Sequence, residues 1–242
     1  MKNLLLLGLA LVLVLAGAAF AYPTLTGPTG LATLPTAATL PAGQLALAAD
    51  YYDTSDGIIE NTFPLRVTFG LAESWEIGAA YLSQTDANLW AVNTKFGPLL
   101  NLLGFDWSAG AQYAQQDFPV NDETVMQAYW VGDMVMSEGG EGQPTLGLTV
   151  GVNWTDSDLL DTDAFRAFVG IQAGFASDFS VGAEYQTKDD DIEAEALWSV
   201  FARLGLTDSL AVQAGWTNGP FFGTNDHNLF VGVNFGWGMI AE

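Results

Sequence analysis

The 242-residue sequence contains no cysteine, only six lysines and arginines, and a single histidine. The absence of cysteine excludes disulfide bonds, thiolate metal sites and thiol catalysis. The 28 acidic residues give a formal net charge of −22, which argues against nucleic acid as a partner because phosphate binding needs a basic surface. We therefore expect small cations or solutes, rather than polyanions, to accompany this chain.

The chain also lacks a recognisable catalytic motif. His227 lies near the start of the last predicted strand, and there is no G-x-S-x-G motif from which to build a Ser-His hydrolase. Paired carboxylates such as Glu193 and Glu195 could do acid-base work, but ion pairing with Arg203 or Arg166, or solvation, is commoner for such groups. The sequence predicts a protein that is not an enzyme and needs no cofactor.

Long apolar runs are missing except at the N-terminus. Lys2 precedes an apolar run over residues 4–15, and small residues follow up to Ala21. This order is typical of a secretory signal peptide, and the run is shorter than the ~20 residues of a helical membrane span. We predict a signal peptide over residues 1–21, with a transmembrane anchor as the alternative. Any further membrane residence must then come from strands.

Alternation of apolar with small or polar residues dominates the rest of the chain. Such alternation, bounded by turn residues, is the pattern of β-strands with one apolar face. It predicts strands at 43–53, 62–70, 74–83, 88–96, 104–115, 124–135, 144–154, 164–175, 178–187, 193–204, 208–217 and 227–237. The even count and the alternation of short turns with long loops are typical of bacterial outer-membrane barrels, whose short turns face the periplasm. The fourth turn, GPLLNLL, is expected to be of moderate length.

Aromatic residues recur at the ends of the predicted outward face. Six residues separate Trp75 from Tyr81 and Phe179 from Tyr185. At about 3.3 Å per residue and a tilt of about 40°, six residues rise roughly 15 Å, and outward-leaning rings extend that toward the apolar band of about 25 Å. A soluble β-sandwich has no reason for this arrangement. We predict two aromatic girdles in outer-membrane lipid, formed by Tyr51, Trp75, Tyr81, Trp107, Tyr113, Trp154, Phe179, Tyr185, Trp216 and Trp237.

The charged residues of the strands fall on the opposite, inward face. This sorting is expected of a membrane barrel, since a lipid-facing Arg or Lys at the midplane costs about 2–4 kcal/mol. The predicted lumen-lining charged residues are Asp50, Arg66, Glu76, Lys95, Asp106, Arg166, Glu184, Glu193, Glu195 and Arg203. Because acids outnumber bases in the lumen and loops, an open lumen would favour cations.

Glycine occupies many of the remaining inward positions. Twelve strands about 4.8 Å apart and tilted by about 40° close a cylinder of roughly 12 Å backbone radius. Inward glycines can leave space for a passage, or they can ease the bends that closure demands. The positions concerned are Gly78, Gly110, Gly147, Gly151, Gly170, Gly182, Gly215 and Gly232.

One loop concentrates carboxylates. TDSDLLDTD places Asp156, Asp158, Asp161 and Asp163 within eight residues. Calcium and magnesium prefer oxygen ligands, so these residues form a candidate outer-loop metal site, although the loop lacks the Gly and terminal Glu of the D-x-D-x-D-G motif. The alternative is a solvated acidic loop.

A Pro- and Thr-rich segment, residues 22–42, precedes the barrel predicted over residues 43–242. It contains the repeats ATLPTA and ATLPAG, whose prolines argue against a helix or central strand. We expect it on the periplasmic rim or in the lumen as a plug. The passage from Gly27 to Asp53, GPTGLATLPTAATLPAGQLALAADYYD, resembles the opening of the YjbH-like family of exported outer-membrane barrels. The resemblance implies an outer-membrane barrel with exopolysaccharide-export partners.

The last predicted strand, NLFVGVNFGW, resembles the terminal signal that outer-membrane insertion machinery reads, so that machinery is an expected partner. The sequence predicts an all-β fold, a 12-stranded antiparallel up-and-down transmembrane β-barrel in the cell outer membrane. Its expected function is that of a narrow, passive, cation-leaning, porin-like channel. The alternative is a non-conducting structural or accessory barrel linked to exopolysaccharide export.

Overall fold

The structure is a computed structural model. It describes residues 22–24, 28–53, 62–83, 88–117, 122–139, 143–157, 162–175, 178–188, 196–218 and 228–238. The predicted signal peptide lies outside these residues, as do Glu193, Glu195 and His227. No helix within the described ranges is long and apolar enough to cross a membrane.

Two short strands precede twelve long ones. β1 (Tyr22–Pro23) pairs antiparallel with β2 (Thr29–Gly30). The others are β3 (Gln44–Asp53), β4 (Phe63–Ala72), β5 (Trp75–Ser83), β6 (Asn88–Leu102), β7 (Phe105–Asp117), β8 (Asp122–Ser137), β9 (Thr145–Ser157), β10 (Thr162–Phe175), β11 (Phe179–Gln186), β12 (Leu197–Thr207), β13 (Leu210–Thr217) and β14 (Asn228–Gly238). Each pairs with its neighbours in chain order, and β14 pairs with β3. The predicted 12-stranded antiparallel barrel is confirmed.

The connections between the strands differ in length. Two residues join β4 to β5, β6 to β7 and β12 to β13, whereas ten join β13 to β14. The moderate turn predicted after the fourth barrel strand is wrong. A bulge between Phe96 and Leu100 accommodates Pro98, which has no N–H for the ladder, and β6 continues to Leu102. The turn itself is Leu103 and Gly104, both with positive φ, as in a type I′ hairpin.

The barrel wall has an apolar outer face. Leu65, Val92, Val200 and Val231 alternate with buried residues and expose between 46% and 55% of their surface. Such exposure would be costly in water, because each side chain removed from water contributes about 1.5–3 kcal/mol. In hydrocarbon the same exposure carries no such cost, so this face contacts lipid.

Candidate functional site

The predicted girdle residues at the short-turn end lie close to other aromatic rings. Trp75 stacks on Phe96 with ring centroids 5.2 Å apart, and its indole N–H donates to Thr94 Oγ1 at 2.8 Å. Trp107 stacks on Trp130, and Phe179 lies against Phe175, at 6.0 and 6.1 Å. The backbone of Trp237 pairs with Leu45 at this end, and the structure describes only the backbone of this residue.

The girdle residues at the long-loop end form a second row. Tyr51 contacts Phe63 at 5.1 Å and Tyr113 contacts Trp90 at 5.5 Å. The remaining four members of the row are Tyr81, Trp154, Tyr185 and Trp216. The Tyr81 hydroxyl also donates to Asn88 Oδ1 at 3.0 Å. Rings with polar edges at both ends of an apolar band match the interfaces of a bilayer.

Two buried ion pairs lie on the inward face. Lys95 Nζ is 3.1 Å from Glu76 Oε1, and both side chains are fully buried. Arg66 pairs with Asp50, again without exposure of either side chain. Gln213 extends the second pair, because its Nε2 donates to Asp50 Oδ1 at 2.9 Å while its Oε1 accepts from Arg203 Nε at 3.1 Å. These wall charges are therefore held in a hydrogen-bonded network rather than in open water.

The other predicted lumen residues differ in their exposure. Glu184 and Arg203 are buried, Arg166 is half-buried opposite Asn153, and Asp106 is exposed, where it accepts from Asn101 Nδ2 at 2.8 Å. Asp106 is the cross-strand partner of Asp133 and so shares its face.

Residues 28–42, which we call the inner segment, fill the space next to these charges. Leu31, Ala32, Leu34, Ala37 and Leu40 each expose 5% of their surface or less. The inner segment contacts inward residues of several strands. Its Thr29 N and Leu40 N donate to Glu76 at 2.9 Å each, and Lys95 Nζ donates to Thr29 O at 2.9 Å. The Glu76–Lys95 pair thus holds two separate parts of the segment.

Sequence reasoning missed several residues of this site. Asp133 Oδ2 accepts from Ala37 N at 2.7 Å, and Ser108 donates to Ala37 O at 2.5 Å. Asp133 shares the inward phase of β8 with Tyr129 and Val131, so strand alternation alone could have identified it.

Five aromatic rings that do not belong to the predicted girdles point inward. Each is 5% exposed or less: Tyr52, Tyr129, Phe168, Phe201 and Phe230. Tyr52 stacks on Phe230 with centroids 5.1 Å apart. Leu31 belongs to the buried cluster that includes Tyr52, Phe201 and Phe230, whereas Leu34 belongs to the cluster of Tyr129, Val131 and Phe168. The interior is therefore packed around the inner segment.

The inward glycines accommodate these rings. A Cβ on Gly110 would overlap the Tyr129 ring, and one on Gly151 would overlap Phe168. Phe201 covers Gly182 and Phe230 covers Gly215 in the same way, and in all four cases ring and glycine are direct cross-strand partners. The expectation that glycine leaves open space is wrong at these positions. It holds at Gly147, where a Cβ would meet nothing within 4 Å.

The structure describes half of the predicted outer-loop metal site. Asp156 and Asp163 are cross-strand partners at the facing ends of β9 and β10, whereas Asp158 and Asp161 lie outside the described residues. Within the described part of the chain, no three acidic or histidine side chains are grouped to hold a metal ion. A calcium or magnesium site in this loop stays a prediction.

Comparison with known proteins identifies structural relatives only. No protein-family model matches the sequence, and no curated protein sequence matches it. The KdgM porin superposes with a TM-score of 0.57 at 12% identity, covering 78% of this chain and 98% of its own. Omp33 of Acinetobacter baumannii gives 0.54 at 11%, covering 80% and 97%, and the NanC porin gives 0.50 at 12%, covering 79% and 98%.

These likenesses show the fold. The closed barrel, its apolar band and its two aromatic rows are the features of a β-barrel of the outer membrane. The chain is such a barrel, in contact with the lipid of that membrane.

Proposed function

We propose that the chain is a porin-like, passive, non-catalytic channel whose conductance is limited by the inner segment. The observation that carries this proposal is the position of Leu31 and Leu34 among inward rings, inside a closed twelve-stranded barrel. Movement of the segment out of the interior would open a passage lined by polar and charged side chains. The likeness to the KdgM and NanC porins supports the porin-like part of the proposal.

The channel prefers cations, and the acidic residues of its outer loops contribute more to this preference than the charges of its wall do. The charged side chains that the structure describes on the inward face include five carboxylates and four cations: Asp50, Glu76, Asp106, Asp133, Glu184, Arg66, Lys95, Arg166 and Arg203. These nearly balance, and two of the carboxylates are paired. The large acidic excess of the chain lies elsewhere in the sequence, and its field would concentrate cations at the mouth.

Planar-bilayer recording tests this function. Leu31→Asn/Leu34→Asn removes two apolar contacts without adding charge or touching the wall, so we expect frequent conductance steps where the unchanged chain shows few. Ala38→Asn/Ala42→Asn is the matched control, because both alanines are exposed residues of the same segment. A reversal potential in a KCl gradient should indicate cation preference; zero or anion preference would refute that part. Equal conductance of all three proteins would refute the role of the segment.

A second candidate function is a non-conducting accessory barrel linked to exopolysaccharide export. The packed interior favours it, as does the resemblance of residues 27–53 to the YjbH-like family. Its expected result in the same recordings is that none of the three proteins conducts, although each is folded and inserted.

A further inference from the structure

The inner segment takes no part in the backbone hydrogen bonds that join the strands of the wall. The ladder that closes the barrel runs through β3 to β14 alone. The backbone-to-backbone bonds of the segment lie within it, as in Leu31 N to Leu34 O at 2.9 Å and Thr36 N to Thr29 O at 3.2 Å, or join it to residues 22–24 and to Gln44 at the start of β3. Because no ladder bond of the wall depends on it, the segment can leave while all twelve strands stay paired.

Wall carboxylates accept hydrogen bonds from backbone N–H groups of the segment. Glu184 Oε1 accepts from Thr33 N at 2.8 Å and its Oε2 accepts from Leu34 N at 3.2 Å. The Thr33 hydroxyl also donates to Glu184. Together with the bonds to Glu76 and Asp133, five segment N–H groups end on three wall carboxylates. Such charge-assisted bonds are stronger than neutral ones.

Wall cations complete the recognition by donating to segment carbonyls. Lys95 Nζ donates to Thr36 O at 3.1 Å as well as to Thr29 O, and Arg203 donates to Leu31 O. Carboxylates of the wall thus accept from backbone N–H groups of the segment, and cations of the wall donate to its backbone carbonyls. This is the chemistry of a peptide-binding site rather than that of a water-filled pore.

The two sequence repeats of the segment meet equivalent groups. In ATLPTA the Leu34 N–H donates to Glu184, and in ATLPAG the corresponding Leu40 N–H donates to Glu76 at 2.9 Å. Both leucines are buried. Each Thr-Leu-Pro unit therefore offers one buried leucine and one backbone donor to a buried glutamate.

From this geometry we infer that the barrel interior is a binding site for a Thr-Leu-Pro peptide in a folded-back conformation, and that the inner segment is its exchangeable intramolecular ligand. A second molecule of the same sequence binds there once the chain's own segment is displaced. The site recognises the backbone through Glu76, Glu184, Asp133, Lys95 and Arg203, and it recognises leucine through the inward rings. The inference rests on the proposed function only for its conductance readout.

Binding of a synthetic peptide of residues 27–43 tests the inference on the full chain. The peptide carries a fluorescent label at its N-terminus, and its anisotropy is followed as detergent-solubilised barrel is added. The Leu31→Asn/Leu34→Asn chain keeps every wall residue, so we expect saturable binding to it with one site per barrel. The unchanged chain should bind at least about tenfold more weakly, because its own segment competes for the site.

Wall and peptide variants define the specificity of the site. Adding Glu184→Gln to the Asn-substituted chain should raise Kd about tenfold or more, which corresponds to about 1.4 kcal/mol, because hydrogen bonds to a charged group are stronger than those to a neutral one. Glu138→Gln makes the same change at an exposed turn residue and should leave Kd unchanged. A peptide carrying Leu31→Asn/Leu34→Asn should not bind.

The outcomes separate the inference from the proposed function. If the Asn-substituted chain conducts but no peptide binds, or if Glu138→Gln weakens binding as much as Glu184→Gln does, the inference is refuted and the channel stands. If the peptide binds with the expected specificity and no protein conducts, the binding site is supported and the channel is refuted. If both are supported, the peptide should also reduce the conductance of the Asn-substituted chain.

Discussion

At the scale of single residues, the interior contains charged side chains that are buried from water. Glu76 and Lys95 are fully buried, yet each has partners on the inner segment as well as in the wall. A buried charge of this kind is tolerated only while it is paired and hydrogen-bonded. The wall and the segment therefore stabilise each other through a few residues.

Removal of one member of this pair should be costly. Lys95→Met leaves the Glu76 carboxylate buried without its cation, and we expect a loss of about 3–5 kcal/mol in unfolding free energy. The measurement is urea unfolding in lipid vesicles, followed by tryptophan fluorescence. Lys188→Met removes the same charge from an exposed residue and should change stability by about 0.5 kcal/mol or less. Equal losses in both variants would contradict the assignment.

The glycines of β9 provide a matched pair for the packing of the interior. Gly151→Val would place its side chain in the Phe168 ring, so overpacking should destabilise the barrel by about 1–3 kcal/mol. Gly147→Val is on the same strand and the same face but meets open space, and its effect should stay within about 0.5 kcal/mol. The same unfolding assay compares them; a larger loss at Gly147 would show that the ring-over-glycine packing is misassigned.

At the scale of strands, alternation of residue type predicted the wall well. Eleven of the twelve predicted strands overlap the observed ones to within about four residues at each end. β6 is the exception, because Gly97 and Pro98 are turn signals that here fall in a bulge. Propensity cannot distinguish a turn from a bulge when the strand resumes beyond it with Leu99 and Leu100.

The interior was less predictable for a physical reason. Alternation assigns a residue to a face, but it does not give the register that brings Phe168 over Gly151 or Gln213 to Asp50. The inner segment has no period at all, so its contacts with Glu184 and Asp133 could not be derived. Alternation puts Tyr52 and Phe230 on the inward phase, but it does not show that their rings stack on each other and pack with the inner segment.

A charged substitution on the outer face of the strands should cost more stability the closer it lies to the middle of the bilayer. Val233 lies in the middle of β14 with 49% of its surface exposed, and Val233→Arg should cost about 2–4 kcal/mol. Leu103 is 85% exposed in the turn beyond the aromatic row, and Leu103→Arg should cost about 0–1 kcal/mol. Unfolding from vesicles measures both. A cost at Val233 no greater than that at Leu103 would contradict the placement of this face in lipid.

At the scale of the whole molecule, the wall and the inner segment are held by different kinds of hydrogen bond. The wall is a closed ladder with no free edge, whereas the inner segment is bound to that wall through side chains, apart from its junction with β3. Because the strands of the wall pair only with one another, the wall can stay closed when the inner segment leaves the interior. Conductance, peptide binding and stability should therefore respond separately to changes in the segment and to changes in the wall.

The position of the inner segment inside the barrel is the claim on which the account depends, and the absence of cysteine makes it directly testable. A Cβ on Gly170 would lie 3.6 Å from Leu31 Cγ, so Leu31→Cys/Gly170→Cys should form a disulfide on mild oxidation of intact membranes. Tryptic mapping would then join the fragment that ends at Arg66 to fragment 167–188. Leu31→Cys/Val169→Cys, with Val169 on the lipid face, should not cross-link. Cross-linking of neither pair, or of both equally, would contradict the account.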